Sequence, residues 1–414
     1  MRALLLGVAM LVATTVATAW GQNGLDGSPD SAGPLYPQAQ GPNLSNQMFH
    51  APQASLFPQP APERPCCEQS NGYGSSGEAC EGCFGNCCDS TPWFASVETL
   101  YMTRNAPNHQ FFSSSATTPS TQYLDGAAMT DWRWGGELTF GRSFCCDTWA
   151  VEGVYWTLDP SGLTNSVSSL AGDLNSTLNS SGVTLPGPAG ATSLSSFFNG
   201  AIYQQLYRRD ELHDAEVNVL RKFTDSTRES PWEFSGLLGF RFFRFDDMLG
   251  FSSVPSGTVD PTLTAVLYDR SINDLYGVQI GFDSSFYLQP TLRAFLNTRL
   301  GIYANHMTST CDIYNTYGGQ VNHGTPTNAA YSPYPVNATL DDVAFMGQFD
   351  VGVDWAINRN ISAQIGYRVV IASGLALADN QIPNNLGNTA QIGTINNNSE
   401  LLLQGAFGGV TFKF

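Results

Sequence analysis

The stretch VAFMGQFDVGVDWAI, residues 343–357, decides the fold class of this chain. One parity of the stretch is almost entirely apolar, while the other carries Gln348, Asp350 and Asp354. A period of two residues indicates a β-strand with one apolar and one polar face. The alternation outlasts the usual strand of about 5–6 residues and reaches the roughly 9–11 residues that a tilted strand needs to cross a bilayer.

The same alternation recurs along the chain from Trp93 onward. It predicts an all-β fold, an antiparallel up-and-down transmembrane β-barrel of about ten strands, or twelve if a hairpin is hidden in 159–213. The ten predicted strands are 93–103, 132–143, 148–158, 214–223, 232–245, 272–286, 291–304, 342–356, 361–371 and 399–414.

The connections between these strands alternate in length. Short turns such as INRN, residues 357–360, follow every second strand. Long loops on one side and short turns on the other are typical of an outer-membrane barrel, whose two ends then lie on the periplasmic side. The predicted long connections are 104–131, 159–213, 246–271, 305–341 and 372–398.

The chain ends on the alternating sequence LLLQGAFGGVTFKF, residues 401–414. In a closed barrel the last strand pairs with the first, so that no strand edge remains. We interpret Phe412 and Phe414 as a C-terminal signal that the barrel-assembly machinery recognises.

The first 90 residues differ in composition from the rest. Residues 1–19 form a signal peptide, with Arg2 before an apolar run and Ala17-Thr18-Ala19 as the cleavage pattern. Residues 20–90 are rich in Pro, Gly and Gln and are predicted to be a disordered periplasmic linker that ends in a cysteine cluster. The barrel then occupies 91–414.

The chain is acidic, with a formal net charge of −17, and only 13 % of its residues are charged. An acidic chain repels nucleic acid, so we expect no nucleic-acid partner. The expected partners are outer-membrane lipid, the barrel-assembly machinery and, if the barrel conducts, small polar solutes or ions. We expect no cofactor.

Several segments carry a more specific resemblance. WFASVETLYMTRN, WGGELTFGRSFCCDTWAVEGVYWTL, GLLGFRFFRFDDML and FDVGVDWAINRNISAQIGYRVV follow one another in the order of a known family. The chain resembles the seventh numbered β-barrel porin family of planctomycete outer membranes and, more distantly, the Legionella-type pore-forming major outer-membrane proteins. This resemblance implies an outer-membrane barrel of a Gram-negative-type bacterium and brings no assigned ligand residues.

Nine charged residues fall on the polar parity of the predicted strands. They should face the lumen, because a charged side chain that faces lipid destabilises the barrel. They either line an aqueous pore and tune its ion selectivity or form a salt-bridged plug in a narrow barrel. These residues are Arg133, Glu137, Arg241, Asp283, Arg293, Arg299, Asp350, Asp354 and Arg368.

The cysteines are unusually numerous for a barrel. We favour a disulfide knot that pins the linker to the periplasmic rim, because an exported compartment is oxidising; a zinc site in the linker cluster is the alternative. Cys311 falls in a predicted long loop and is free or links two molecules. The knot residues are Cys66, Cys67, Cys80, Cys83, Cys87, Cys88, Cys145 and Cys146.

Aromatic residues near predicted strand ends suit an interfacial girdle. They are Trp93, Tyr101, Trp132, Trp149, Trp156 and Trp232.

The histidines are scattered and no hydrolase or phosphate-binding motif occurs, so we expect no enzyme. The sequence therefore predicts a porin-like outer-membrane barrel that passes small polar solutes by diffusion. A non-conducting barrel that is structural or displays its long loops is the first alternative. A secreted soluble β-sandwich that binds carbohydrate is the second.

Overall fold

The computed structural model describes residues 93–106, 109–144, 148–187, 190–223, 230–257, 264–316, 319–326 and 334–414. The signal peptide, the linker and all eight cysteines of the predicted disulfide knot lie outside the described residues. Among the described residues, no helix is long and apolar enough to span a membrane.

Ten long strands make up the barrel, and all ten coincide with predicted segments. We number them in chain order as β1 (Trp93–Arg104), β2 (Arg133–Phe144), β3 (Trp149–Leu158), β4 (Ala201–Lys222), β5 (Trp232–Pro255), β6 (Ala265–Gln289), β7 (Leu292–Asn315), β8 (Val336–Ala356), β9 (Ile361–Leu375) and β10 (Ser399–Lys413).

Each of these strands pairs antiparallel with its neighbour along the chain, from β1 to β10. The ring closes because β10 also pairs with β1, in a register that sets Ala95 opposite Phe412. Phe414 and Trp93 add two backbone hydrogen bonds of 2.9 Å at the end of this seam. A single closed ring confirms the ten-strand barrel and excludes the β-sandwich, which needs two packed sheets.

The outer surface of the barrel carries a band of exposed apolar side chains. On β5 these are the outward-facing residues from Trp232 to Phe242, with Leu238 62 % exposed. Ile280 on β6 and Ile365 on β9 are each 63 % exposed. Such a band is stable against lipid rather than water.

A row of polar residues ends this apolar band at the long-loop end. Successive strands from β4 to β8 place His213, Arg244, Asp274, His306 and Asp341 directly opposite one another in register. All five lie on the outward parity, one position beyond the last exposed apolar row. They mark where the strands leave the hydrophobic band.

Three predicted loops are shorter than expected. The strands β4 to β8 continue beyond the polar row, so that 201–213, 246–255, 265–271, 305–315 and 336–341 are strand rather than loop. Their outward side chains there are polar, which removes the apolar alternation from the sequence. Cys311 accordingly lies on β7, not in a loop, and is 1 % exposed as a free thiol, so a bond to a second molecule is excluded in this state.

The remaining long connections fold against the long-loop end of the barrel. They contain short strands, such as Leu163–Ser168, which pairs with β4, and the hairpin Val183–Gly187 with Gly190–Ser193. None of these adds a strand to the closed ring, so the count stays at ten. Apolar residues of the connections form one cluster with inward residues near the long-loop ends of β4 to β7. This cluster includes Phe112 and Leu386. We call this cluster the cap.

The short turns lie at the opposite end. Asn358 and Asn360 make the turn between β8 and β9, where the Asn358 side chain accepts a hydrogen bond of 2.8 Å from the Asn360 backbone N–H. Asparagine is suited to such turns because its short amide mimics a backbone turn. We refer to this end of the barrel as the short-turn end.

Candidate functional site in the barrel interior

The interior of the barrel is filled by alternating charged and apolar layers. The inward face of β5 gives the order from the short-turn end upward: Arg241, then Phe243 and Phe245, then Asp247, then Leu249. All five side chains are nearly inaccessible to solvent. The inward face of the neighbouring β4 repeats this order, with Asp214, then Leu212, then Asp210 and Arg208, then Leu206.

The first layer, here the lower charged layer, contains ion pairs that cross the lumen. Arg368 on β9 pairs with Asp350 on the adjacent β8 at 2.9 Å and with Glu137 on β2. Strands β2 and β9 are separated by β1 and β10 in the sheet. The Arg368 guanidinium also lies over the rings of Trp156 and Phe407, 5.7 and 5.3 Å from their centroids.

A second set of ion pairs completes this layer. Arg241 pairs with Asp214 at 2.6 Å and with Glu216 at 3.4 Å. Arg299 on β7 reaches across the lumen to Glu216 at 3.2 Å and to Glu152 at 3.9 Å. Buried charges are costly unless each is paired and hydrogen-bonded. The cross-barrel pairs therefore couple distant strands to one another.

The apolar layer lies directly above. Trp156 and Phe243 are both fully buried there, with ring centroids 6.5 Å apart, and Leu100, Leu403 and Met346 come from three further strands. Its side chains are contributed by the strands themselves, so it is part of the wall rather than a movable loop. Buried apolar side chains from several strands therefore meet in the middle of the lumen at this level.

Glycine residues below the apolar layer make room for two aromatic rings. Gly352 and Gly366 are direct partners on β8 and β9. A Cβ at Gly352 would lie 2.7 Å from the Phe295 ring, and one at Gly366 would lie 2.5 Å from the Phe407 ring. The absence of side chains at these two positions lets both rings lean across the lumen.

The upper charged layer attaches a loop to the barrel wall. Asp247 accepts hydrogen bonds from Arg208 at 2.7 Å and Arg104 at 3.1 Å, and from the backbone N–H of Ala378 at 3.1 Å. Arg208 also pairs with Asp379 at 2.9 Å. The loop 376–398, whose Leu386 belongs to the cap, is thereby attached to the inward face of the barrel strands.

Burial and pairing set the pKa of the acids in this layer. Burial alone would raise the pKa of Asp247, but the guanidinium groups of Arg208 and Arg104 outweigh it and hold that pKa below its usual range. Asp269 lies in the same layer and has no basic partner within the described part of the chain; burial together with the charge of Asp247 raises its pKa well above the usual range. Both residues lie above the polar row that ends the apolar band.

A cavity of about 160 Å³ remains at the short-turn side of the lower charged layer. Glu98, Glu137, Asp350 and Arg368 line it together with aromatic side chains. Val154 and Phe295, two of its lining residues, also belong to the apolar cluster of the interior.

The nine charged residues proposed to face the lumen all lie on the inward parity, but they do not form one group. Glu137, Arg241, Arg299, Asp350 and Arg368 belong to the lower charged layer. Arg293 and Asp354 pair at 2.9 Å nearer the short turns. Asp283 lies close to Arg299. Arg133 is separate, because it pairs with Asp210 in the upper charged layer.

Other interior residues escaped the sequence analysis. Glu98, Glu152, Asp214 and Glu216 stand on the polar parity of predicted strands, and that parity was the available signal. Arg104, Arg208, Asp210, Asp247 and Asp379 fall in segments predicted as loops, so their parity was not considered.

The aromatic girdle is largely as predicted. Trp93, Trp149 and Trp232 lie at the short-turn end and Tyr101 and Trp132 at the other, each between 36 and 43 % exposed. Trp156 is an exception, because its inward parity places it in the apolar layer, fully buried.

A cluster of metal ligands is not evident in the described ranges. These ranges hold no group of three or more His, Cys, Asp or Glu side chains that could hold a metal ion. Each of their four histidines pairs with a carboxylate near the surface, as His306 does with Asp341 at 2.6 Å.

Solved structures similar to this chain are outer-membrane proteins. The outer membrane protease OmpT of Escherichia coli has 9 % identity and a TM-score of 0.39, over 79 % of this chain and 97 % of that chain. Neisserial surface protein A has 9 % identity and a TM-score of 0.25, over 78 % and 97 %. A FadL homologue of Pseudomonas aeruginosa has 8 % identity and a TM-score of 0.26, over 79 % and 90 %.

No curated protein matches the chain in sequence. Residues 103–401, by contrast, match the family described as "Putative beta barrel porin-7", which covers more than half of the chain. This match agrees with the closed ring of strands and the apolar outer band, and it places the protein in the outer membrane. The chain is a member of the Putative beta barrel porin-7 family of outer-membrane β-barrel proteins.

Proposed function

We propose that this porin-family barrel is closed to ions in its resting state and serves the outer membrane as a non-conducting barrel that carries a folded extracellular cap. The apolar layer is the observation that carries the proposal. Trp156, Phe243 and their neighbours come from the wall strands and are buried in the middle of the lumen. Displacing a loop would not remove them.

The rest of the interior supports the same function. The lower charged layer lies on one side of the apolar layer, and the upper charged layer with loop 376–398 lies on the other. An ion crossing the barrel would have to leave water, pass a dry aromatic constriction and break buried ion pairs. Such a path has a high barrier, because moving charge into a medium of low dielectric costs several kcal/mol or more.

Passive diffusion of small polar solutes is the rival function, and it requires a second, open arrangement of the interior. The family's description as porins and the cavity at the short-turn end favour it. The filled lumen weighs against it. We also propose that the protein is not an enzyme, since most charged groups of the interior are paired with one another.

Conductance across a planar lipid bilayer tests the proposal. Insertion of the purified full-length protein should give no stable current steps, because the apolar layer blocks the lumen. The double variant Trp156→Ala/Phe243→Ala should raise the frequency of small current events, because it removes two central rings of that layer. The matched control Trp134→Ala/Leu138→Ala removes exposed lipid-facing side chains and should stay silent.

Heat-modifiable mobility of the same samples in SDS gels would verify that each variant is folded. Stable, ohmic current steps from the folded wild-type protein would instead support diffusion through an open pore.

A further inference from the structure

The cavity beside the lower charged layer is surrounded by more acid than base. Glu98 and Glu137 are direct partners on β1 and β2, and both point into the lumen. Asp350 lines the same cavity. One guanidinium, that of Arg368, serves Glu137 and Asp350 together. Like charges placed directly opposite on neighbouring strands repel each other, so this corner of the lumen is short of positive charge.

Glu98 is the carboxylate that remains without a cation. It is 6 % exposed, and its Oε1 accepts a hydrogen bond from Gln364. Its Oε2 has no hydrogen-bond partner among the described residues, and no ion pair there involves Glu98. A buried carboxylate oxygen left unpaired is costly, which points to a positive ligand or a proton at this place.

The other carboxylates have their partners. Asp350 Oδ1 accepts from Arg368 at 2.9 Å, and Asp350 Oδ2 accepts from Gln348 at 2.9 Å. Glu152 accepts from Asn218 at 3.2 Å and faces Arg299. Among the carboxylates that line this cavity, Glu98 therefore has the clearest capacity to accept from a ligand.

Aromatic rings form the remaining walls. Phe94, Phe295 and Phe407 line the cavity, and the last two have ring centroids 6.3 Å apart. Aromatic faces attract cations that carry apolar substituents. The volume of about 160 Å³ corresponds to roughly five water molecules at ~30 Å³ each.

We propose that this cavity binds a small organic cation, an ammonium compound, whose positive charge lies against Glu98 and whose carbon atoms contact the phenylalanine rings. A compact metal ion fits less well, because no group of metal-ligating side chains exists among the described residues. Phe94 and Thr411 lie at the periplasmic ends of β1 and β10 and line the cavity, so the ligand enters from the periplasm.

The site does not depend on conduction. The lining of the cavity includes Phe94 and Thr411 near the short-turn end, so it can be occupied from that side of a closed barrel. An equilibrium binding experiment therefore tests it separately from the conductance experiment, and either proposal can fail while the other stands.

Saturation-transfer NMR on the full-length protein in detergent, with tetramethylammonium chloride as the probe, tests the site. The wild-type protein should bind the probe with an affinity at least about tenfold higher than that of Glu98→Gln, because the variant removes the unpaired charge. Glu400→Gln changes an exposed glutamate on β10 and should bind like the wild type. Ser96→Leu keeps every charge but fills part of the cavity and should also weaken binding.

Two comparisons identify the chemistry of the ligand. The neutral solute tert-butyl alcohol should give no comparable signal, and an equal concentration of NaCl should not displace the probe. Binding that is unchanged in folded Glu98→Gln would overturn the proposal. So would equal binding of tert-butyl alcohol, which would mean a merely apolar pocket, or full displacement by equimolar Na⁺, which would mean an adventitious counterion only.

Discussion

At the scale of single residues, Arg368 connects carboxylates of two separate strands in the barrel interior. It is 3 % exposed and bonds acids on β2 and β8 while two aromatic rings cover its guanidinium. Its contribution to stability comes from neutralising the buried carboxylates of Glu137 and Asp350. Removing one member of a buried ion pair leaves the other charge without compensation, which costs more than the pair itself contributes.

Arg368→Met should therefore lower the free energy of unfolding by about 3–5 kcal/mol. Urea unfolding of the detergent-solubilised protein, followed by tryptophan fluorescence, measures the change. Arg209→Met is the matched control, since Arg209 lies on the outer face with its side chain 48 % exposed, and its loss should cost no more than about 1 kcal/mol. Equal effects of the two substitutions would contradict a special role for Arg368.

Asp247 should make the attachment of loop 376–398 sensitive to acid. Its pKa in the folded protein lies below the usual value, so the folded state binds its proton less readily than the unfolded chain does. The stabilisation is complete above about pH 3.9, the usual aspartate pKa, and is lost as the pH falls from there through the folded pKa. Asp269 has a raised pKa in the folded protein, so its contribution to stability has the opposite pH dependence: it decreases as the pH rises above the usual aspartate pKa.

Hydrogen exchange of the Ala378 backbone N–H, which donates to Asp247, measures this effect. Protection relative to neutral pH should decrease below about pH 3.9 in the wild type. In Asp247→Asn the protection should be weaker at neutral pH and change less on acidification. A wild-type profile that is flat down to acid unfolding would argue against this role.

At the scale of elements, the seam between β1 and β10 closes the ring. Phe414 contributes two backbone hydrogen bonds to Trp93, and its side chain is 67 % exposed. The exposed ring makes few contacts within the protein, so its role is not explained by packing. Phe412, also outward on β10, is 44 % exposed.

Deletion of Phe414 should reduce the amount of folded protein in the outer membrane several-fold, if the terminal aromatic residue is the assembly signal. The same deletion should change the urea midpoint of protein refolded in detergent only slightly, because only the frayed end of the seam is lost. Quantitative immunoblots of membrane fractions measure the first effect. Wild-type levels in the membrane would show that Phe414 is dispensable for assembly.

The strands differ in how much of their length is predicted by the apolar alternation of the sequence. The apolar alternation of β5 is clear from Trp232 to Phe242, where the outward residues face lipid. Beyond Arg244 the outward residues face water and the inward ones include Asp247, so both faces become mixed. The half of β5 beyond Arg244 therefore shows no apolar alternation, although its backbone pairing with β6 continues without a break.

At the scale of the whole molecule, the closed ring predicts resistance to detergent. Every barrel strand is paired on both sides, so the strand interfaces cannot separate one at a time without opening the ring. Unboiled protein in SDS should therefore migrate differently from boiled protein under reducing conditions. Identical mobility, together with recovery in the soluble fraction, would contradict the membrane barrel.

The sequence by itself determined the ten membrane strands, their order and the parity of their faces. These features can be predicted from short segments, because contact with lipid favours an apolar residue at each outward position of a spanning strand, whatever its neighbours are. The family resemblance and the alternation of loop lengths follow from the same local signals. The nine interior charges were identifiable for the same reason, since a charge on a spanning strand can only face inward.

Only the tertiary structure decided what those charges do. Glu137 and Arg368 are 231 residues apart in sequence, and nothing local indicates that they meet. The same holds for the apolar layer, because Trp156 resembles a girdle residue until closure of the ring places it inside. Whether a lumen is a channel or a core depends on contacts across the barrel, and those contacts exist only after the first and last strands have paired.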